Sequence, residues 1–222
     1  MGETVQIKAA DGHTFGAYRV APAGVSKGGL VVVQEIFGVN RHMRKVADGF
    51  ARDGYTVLAP QIFDRAQKDA ELGYGPADVS EGRELRAKTG DQNALKDIEA
   101  AIAALRGAGK VGVVGYCWGG KLTWLAACRS KIDCAVGYYG GQIIDHVAEV
   151  PRCPTLLHFG EKDSGIPLAD VETIRARHPA VEVHVYPGAE HGFNCDERSS
   201  WNADCSRLAL ERTTAFLSKN LG

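Results

Sequence analysis

Short apolar runs alternate with longer amphipathic segments along the 222-residue chain, and this alternation constrains the fold more than any other feature. Apolar runs of strand length cover residues 30–34, 55–59, 111–114, 134–138, 155–159 and 181–186. Apolar residues recur at helical spacing in segments 41–53, 93–105, 119–128, 168–177 and 203–217. Strands that alternate with helices are typical of a parallel sheet covered by helices. The sequence predicts an α/β fold with a mostly parallel central sheet, helices on both faces, and a single domain over residues 1–222.

Two segments depart from this alternation. Residues 5–8 and 14–20 flank Asp11-Gly12, a hairpin signal, and are predicted to form an antiparallel pair near a sheet edge. Residues 60–80 contain prolines and glycines but no clear period, which predicts a long loop. Loops of this length in a compact domain are often functional.

Charge and cysteine usage exclude several classes of function. Lys and Arg total 26 and Asp and Glu total 27, without the basic excess of a nucleic-acid-binding protein. No apolar stretch approaches the roughly 20 residues of a membrane span. Residues 1–4 lack the features of a secretory signal, which predicts a cytoplasmic protein. None of the six cysteines forms a C-x-x-C pair, so we expect free thiols and no metal site.

The strongest local motif is Gly-Tyr-Cys-Trp-Gly-Gly at residues 115–120, between an apolar run and an amphipathic segment. This context fits the strand–turn–helix of the G-x-S-x-G nucleophile elbow, with Cys117 in place of serine. Gly115 and Gly119 would leave room for the strained turn, and the helix N-terminus would favour a thiolate. A glycine-rich turn with a buried structural cysteine is the alternative interpretation.

A nucleophile needs a base and an acid that orients the base. In an elbow-bearing fold these follow the nucleophile in the order acid, then histidine. Asp163 and His191 each come just after an apolar run, at strand ends where sites in parallel sheets gather. Glu161 and Asp170 are the alternative acids. The other histidines are predicted to be structural within strands, for His158 and His184, or exposed, for His13, His42, His146 and His178.

Four motifs together resemble the dienelactone hydrolase family, the carboxymethylenebutenolidases. They are Gln-Glu-Ile-Phe-Gly-Val-Asn at 34–40, the motif at 115–120, Gly-Tyr-Tyr-Gly at 137–140 and Gly-Ala-Glu-His at 188–191. The resemblance runs from about residue 11 to the final helix. It implies an α/β-hydrolase fold with a cysteine nucleophile, and a catalytic triad of Cys117, Asp163 and His191.

The resemblance also implies roles for residues around the triad. Glu35 matches a glutamate that contacts the nucleophile in the family and helps to deprotonate the thiol when substrate binds. The backbone N–H groups of Ile36 and Trp118 would form the oxyanion hole. Tyr139 matches a tyrosine of the substrate pocket.

Two arginines that hold the substrate carboxylate in the family match less well. One follows the catalytic histidine by four positions, where this chain has Cys195, and Arg198 lies three residues further on. The other precedes a helix in the middle of the chain, where Arg83 is the nearest candidate and Arg86 an alternative. Dienelactone itself is therefore left open as the substrate.

The sequence predicts a hydrolase that cleaves ester or lactone bonds of small substrates, anionic ones among them, through an acyl-thioester and without a metal or organic cofactor. The expected partner is a small-molecule ester or lactone, with no nucleic acid or membrane, in a monomer or small homo-oligomer. One alternative is a carboxylesterase, thioesterase or peptidase that uses the same site. The other is a non-catalytic redox-sensing or ligand-binding protein that uses Cys117.

Overall fold

The computed structural model describes residues 2–222, so Met1, part of the segment considered for a secretory signal, lies outside the described residues. The strands are β1 Glu3–Lys8, β2 Thr14–Val20, β3 Gly29–Val33, β4 Thr56–Pro60, β5 Val111–Tyr116, β6 Cys134–Tyr138, β7 Thr155–Gly160 and β8 Glu182–Tyr186. They form one eight-stranded sheet in the order β1-β2-β4-β3-β5-β6-β7-β8. Strand β2 pairs antiparallel with β1 and β4, and every other neighbouring pair is parallel, which confirms the predicted mostly parallel sheet.

Helices connect the strands of this sheet. They are α1 Arg41–Arg52, α2 Pro76–Thr89, α3 Asp91–Leu105, α4 Trp118–Arg129, α5 Leu168–Arg177 and α6 Ala203–Leu221. Every residue of β3, β5, β6 and β7 is buried, as expected of parallel strands that are covered on both faces. The carboxyl ends of these strands meet at one edge of the sheet, and the candidate site residues follow them.

The prediction of a loop over residues 60–80 is wrong in part. A short 3₁₀-helix covers Ile62–Arg65, and α2 begins at Pro76. Apolar spacing misses α2 because its buried residues, Gly82, Leu85 and Thr89, form no apolar stripe. Local chemistry sets its start instead, since proline is pre-organised for the first turn and the Asp78 carboxylate accepts hydrogen bonds from the N–H groups of residues 73 and 75.

Two of the histidines predicted to be exposed are buried. His42 is 3% exposed, and its Nδ1 lies 3.1 Å from Oδ1 of Asp196. His178 is 6% exposed, and its Nε2 lies 2.8 Å from the carbonyl oxygen of Val147. Both predictions are wrong because a hydrogen-bonded imidazole packs inside a protein at little cost. The prediction for His158 is confirmed, since its buried ring bonds the hydroxyl groups of residues 186 and 213.

Three further observations concern other classes of site. Within residues 2–222, each helix is too short or too polar to cross a lipid bilayer. Across the same residues, His, Cys, Asp and Glu side chains form no cluster of three or more that would suit a metal ion. All six cysteines are free thiols.

Candidate active site

Cys117 occupies a sharp turn between β5 and α4, with φ 54° and ψ −117°. A positive φ is costly for a residue with a side chain, so the surrounding structure has to hold this conformation. The backbone N–H of Cys117 donates to the carbonyl oxygen of Tyr138 at 3.0 Å, which ties the turn to the end of β6. The strand–turn–helix context predicted for this cysteine is confirmed.

The glycines beside the turn are required by close backbone contacts. A Cβ atom on Gly115 would lie 2.0 Å from the carbonyl oxygen of Gly119. A Cβ atom on Gly119 would lie 2.4 Å from the carbonyl oxygen of Val33. These separations are far below van der Waals contact, so β3, β5 and α4 meet at this point because neither position carries a side chain.

The structure brings Cys117, His191 and Asp163 together. Nε2 of His191 lies 3.1 Å from Sγ of Cys117, and its Nδ1 lies 2.7 Å from Oδ2 of Asp163. The second oxygen of the Asp163 carboxylate accepts a hydrogen bond from the backbone N–H of Gly165 at 2.9 Å. The buried acid therefore fixes the imidazole so that its other nitrogen faces the sulfur.

The two alternative acids lie elsewhere. Glu161 accepts a hydrogen bond from the backbone N–H of Gly188 at 2.8 Å and so braces the loop that leads to His191. Asp170 lies in the first turn of α5. Of the three candidates, Asp163 is the one that contacts the imidazole.

The pKa of His191 reflects its two charged neighbours. Burial alone would lower this pKa, but the Cys117 sulfur and the Asp163 carboxylate outweigh burial and raise the pKa to about 10. Negative charge on both sides of the ring favours the imidazolium form. The site therefore favours a protonated His191 beside the Cys117 sulfur.

We expect His191 to keep its proton up to about pH 10 in the resting protein, and its pKa to fall when Cys117→Ala removes the sulfur. Because folding raises this pKa above its ordinary value of 6.5, the ion pair stabilises the folded state fully below about pH 6.5. That stabilisation is lost as the pH rises toward 10. An NMR titration of the imidazole Cε1–H group measures both pKa values. The same His191 titration in wild type and Cys117→Ala would contradict this account.

Glu35 lies two residues after Val33, the last residue of β3, and is 1% exposed. Its Oε1 lies 3.3 Å from Nη1 of Arg198, and its Oε2 has no hydrogen-bond partner within residues 2–222. The family resemblance implies a contact between this glutamate and the nucleophile. The structure instead pairs Glu35 with Arg198, and the described part of the chain shows no hydrogen bond between Glu35 and the Cys117 sulfur.

Room for Arg198 depends on the residue after His191. That residue, Gly192, has φ 78°, and a Cβ atom there would lie 2.4 Å from Nη1 of Arg198. The guanidinium also lies 5.8 Å from the ring centroid of Phe37. The sequence offered Arg198 only as a possible replacement for an arginine at position 195. The structure places it beside the triad, whereas the Cys195 side chain is buried.

Tyr139 lies behind the imidazole. Its ring is fully buried, 5.2 Å from the ring of His191 and 5.5 Å from that of Phe193, between centroids. Its backbone N–H donates to the carbonyl oxygen of His158 at 2.7 Å, and its φ of 38° marks a strained turn. Tyr139 therefore supports His191 from the protein side.

A cavity of about 380 Å³ opens above the sulfur, within the size range of small-molecule sites. Its walls include the two residues predicted to form the oxyanion hole and three arginines: Ile36, Trp118, Arg83, Arg86 and Arg198. The backbone N–H groups of Ile36 and Trp118 donate no hydrogen bond to protein atoms within residues 2–222. Three guanidinium groups around a small cavity favour an anionic ligand.

The arginines of α2 differ in their contacts. Arg83 is exposed and forms no ion pair in the described part of the chain. Arg86 donates to Oε1 of Gln142 across the cavity mouth, and its guanidinium lies 6.0 Å from the ring centroid of Trp118. Sequence reasoning missed Gln142, for which the glycine pair at 140–141 was the available signal. Gln142 has a φ of 64° and lines the cavity.

Sequence and structure comparisons with known proteins point to one family. The sequence model of the dienelactone hydrolase family matches residues 15–221. The carboxymethylenebutenolidases of Pseudomonas putida and Pseudomonas knackmussii are each 35% identical over 225 residues, covering 97% of this chain and 95% of theirs. The crystal structure of a "Putative Dienelactone Hydrolase" from Klebsiella pneumoniae has a TM-score of 0.88 and 29% identity, covering 99% of this chain and 98% of that one. The predicted resemblance and α/β-hydrolase fold are confirmed.

Proposed function

Because the chain belongs to the dienelactone hydrolase family and is a carboxylic ester hydrolase, we propose that it cleaves ester or lactone bonds of small anionic substrates with Cys117 as nucleophile. One observation gives this proposal its main support. Sulfur, imidazole and carboxylate are linked at 3.1 and 2.7 Å beneath a cavity lined by three arginines. The nucleophile, its base and the acid that orients the base thus face a space that fits a small molecule.

The first step forms the acyl-enzyme. The Cys117 thiolate attacks the substrate carbonyl carbon and gives a tetrahedral oxyanion, which accepts hydrogen bonds from the N–H groups of Ile36 and Trp118. Collapse breaks the carbon–oxygen bond to the leaving group, and the His191 imidazolium gives that oxygen its proton. Each oxyanion donor typically accelerates such a step about 10²–10³-fold.

The second step releases the acid. Neutral His191 takes a proton from a water molecule as the water attacks the thioester carbonyl. Asp163 stabilises the imidazolium that forms. Collapse of the second tetrahedral intermediate expels the Cys117 thiolate beside the His191 imidazolium, and the product leaves as a carboxylic acid.

The arginines account for the proposed anionic substrate. Arg198 is already paired with Glu35, whereas Arg83 has no carboxylate partner among residues 2–222 and Arg86 is held by a neutral amide. We infer that a substrate carboxylate is held between the α2 side of the cavity and Arg198. A planar guanidinium suits a carboxylate because it donates two parallel hydrogen bonds.

We also propose a domain organisation, a cellular compartment and an oligomeric state for the enzyme. One continuous sheet supports a single domain over residues 1–222. Six free thiols are usual in a reducing compartment, so we infer a cytoplasmic enzyme. We expect a monomer or a small homo-oligomer.

A matched pair of esters tests the proposed substrate class. Monophenyl glutarate and phenyl valerate share a leaving group and a chain length but differ in the distal carboxylate. We expect kcat/KM to favour the anionic ester at least about 10-fold, the scale of one charge-assisted contact. We expect Arg83→Ala to remove part of that preference, with Lys88→Ala on the same helix as control. Equal kcat/KM values would refute the anionic substrate, and Cys117 oxidation without any turnover would favour the redox sensor.

A further inference from the structure

An ion-pair cluster outside the triad joins helices α3 and α4. Asp91 is the first residue of α3, and both of its carboxylate oxygens contact α4. Oδ1 accepts a hydrogen bond from indole Nε1 of Trp118 at 2.8 Å, and Oδ2 lies 2.5 Å from Nζ of Lys121. Trp118 and Lys121 are three positions apart, so they share one face of the helix. One carboxylate therefore clamps the first turn of α4.

Both partners of Asp91 are nearly inaccessible, with exposures of 2% for Trp118 and 5% for Lys121. A buried indole N–H or ammonium group that lost its partner would cost free energy. A lysine in the first turn also faces the positive end of the helix dipole, and the carboxylate offsets that repulsion. Burial tends to raise the pKa of Asp91, but Lys121 and Trp118 lower the pKa below its ordinary value and keep the carboxylate charged.

The first turn of α4 matters because the Trp118 backbone N–H begins it. The first N–H groups of a helix have no acceptor within the helix, which leaves them available to a ligand. The Trp118 N–H belongs to the peptide unit that starts at the strained Cys117, with φ 54°, and ends at the clamped residue. An oxyanion donor acts at 2.7–3.1 Å, so a small rotation of this peptide weakens it.

The other contacts of the indole ring show why the hydrogen bond from its N–H group is needed to fix the position of the ring. One face stacks near Phe63, with ring centroids 5.7 Å apart. The guanidinium of Arg86 lies 6.0 Å from the ring centroid. Contacts of this kind restrict tilting but allow the ring to slide in its own plane. The hydrogen bond to Asp91 resists that sliding.

We propose that Asp91 is a positioning residue of the oxyanion hole, because by holding the side chains of Trp118 and Lys121 it fixes the direction of the Trp118 backbone N–H. This assignment rests on the proposed function, in which that N–H binds the oxyanion. Asp91 touches neither the substrate nor the reacting atoms, so it acts through Trp118. Its removal weakens stabilisation of the transition state and leaves the nucleophile unchanged.

Two reactions of the same sulfur separate this role from a structural one. Hydrolysis of phenyl valerate develops an oxyanion, whereas alkylation by iodoacetamide is a displacement at saturated carbon and does not. In Asp91→Ala we expect kcat for the ester to fall about 10–100-fold with KM within about twofold. We expect the alkylation rate constant of Cys117 to stay within about twofold of wild type. Asp91→Asn keeps an acceptor oxygen for the indole and is expected to recover most of kcat.

Trp118→Phe provides an independent variant, because it keeps an aromatic ring in the stack and removes the indole N–H together with the five-membered ring that carries it. We expect it to lower kcat as Asp91→Ala does, and we expect the double variant to lose less than the sum of the two single losses, since both changes break the indole contact with Asp91. If Asp91→Ala fails to fold, the hydrolysis and alkylation rates of Trp118→Phe test the assignment instead. A parallel fall in hydrolysis and alkylation would overturn the assignment, as would an unchanged kcat. Wild-type turnover that persists in Cys117→Ala would instead refute the proposed function, on which the assignment rests.

Discussion

Replacing Cys117 with alanine is expected to lower kcat for ester hydrolysis about 10⁴-fold or more. The variant loses the atom that we propose attacks the carbonyl, and removal of the nucleophile from a triad leaves only what substrate binding and the oxyanion hole supply. Alanine also removes the sulfur that lies 3.1 Å from Nε2 of His191. Steady-state kinetics with phenyl valerate, above the rate without enzyme, measures the loss.

A second thiol provides the control. Cys205 is partly exposed and lies in the first turn of α6, where its sulfur contacts the carbonyl oxygen of Pro187 at 3.7 Å. We expect Cys205→Ala to retain wild-type kinetics. Full activity in Cys117→Ala would place the nucleophile elsewhere. Loss of activity in both variants would indicate a general effect of thiol removal on the fold.

Replacing Arg198 with methionine is expected to destabilise the protein by about 3–5 kcal/mol, because the change leaves the buried Glu35 carboxylate without its partner. The two side chains are 3.3 Å apart, and that of Glu35 is 1% exposed. The free energy of unfolding, measured by urea denaturation at pH 7, reports this cost. We also expect the preference for the anionic ester to fall, since Arg198 lines the cavity.

The double variant Glu35→Gln with Arg198→Met distinguishes loss of the Glu35–Arg198 contact from the cost of an unpaired buried charge on Glu35. A neutral glutamine removes the buried charge, so we expect the double variant to recover most of the lost stability. Arg41→Met is the matched control, because Arg41 pairs with Glu197 on the surface, where an ion pair contributes about 0–1 kcal/mol. A cost below about 1 kcal/mol for Arg198→Met would show that Glu35 does not depend on Arg198.

Most of the sheet was predictable because its strands are buried on both faces. Such strands consist of uninterrupted apolar residues, as in Leu30–Val33, and flanking glycines mark where they end. The edge pair β1 and β2 was predictable from its turn. Helix α2 was not, because proline, glycine and aspartate at its start define it, rather than an apolar stripe.

Part of the candidate site could likewise be predicted from the sequence, and part of it could not. Cys117, Asp163 and His191 were predictable because each follows a strand at the same edge of a parallel sheet, and chain order sets their sequence. The contacts of Glu35 with Arg198 and of Asp91 with Trp118 were not. They join residues 163 and 27 positions apart, and no local pattern specifies which partners long side chains reach.

The sequence by itself determined the class of fold and the strand–turn–helix context of Cys117, because periodicity and backbone strain are properties of neighbouring residues. Tertiary structure alone decided that Arg198 pairs with Glu35, that two arginines of α2 line the cavity above the sulfur, and that Asp91 holds the first turn of α4. These contacts depend on how separate elements pack and on the direction in which each side chain leaves its backbone. Packing of this kind is a property of the whole folded chain.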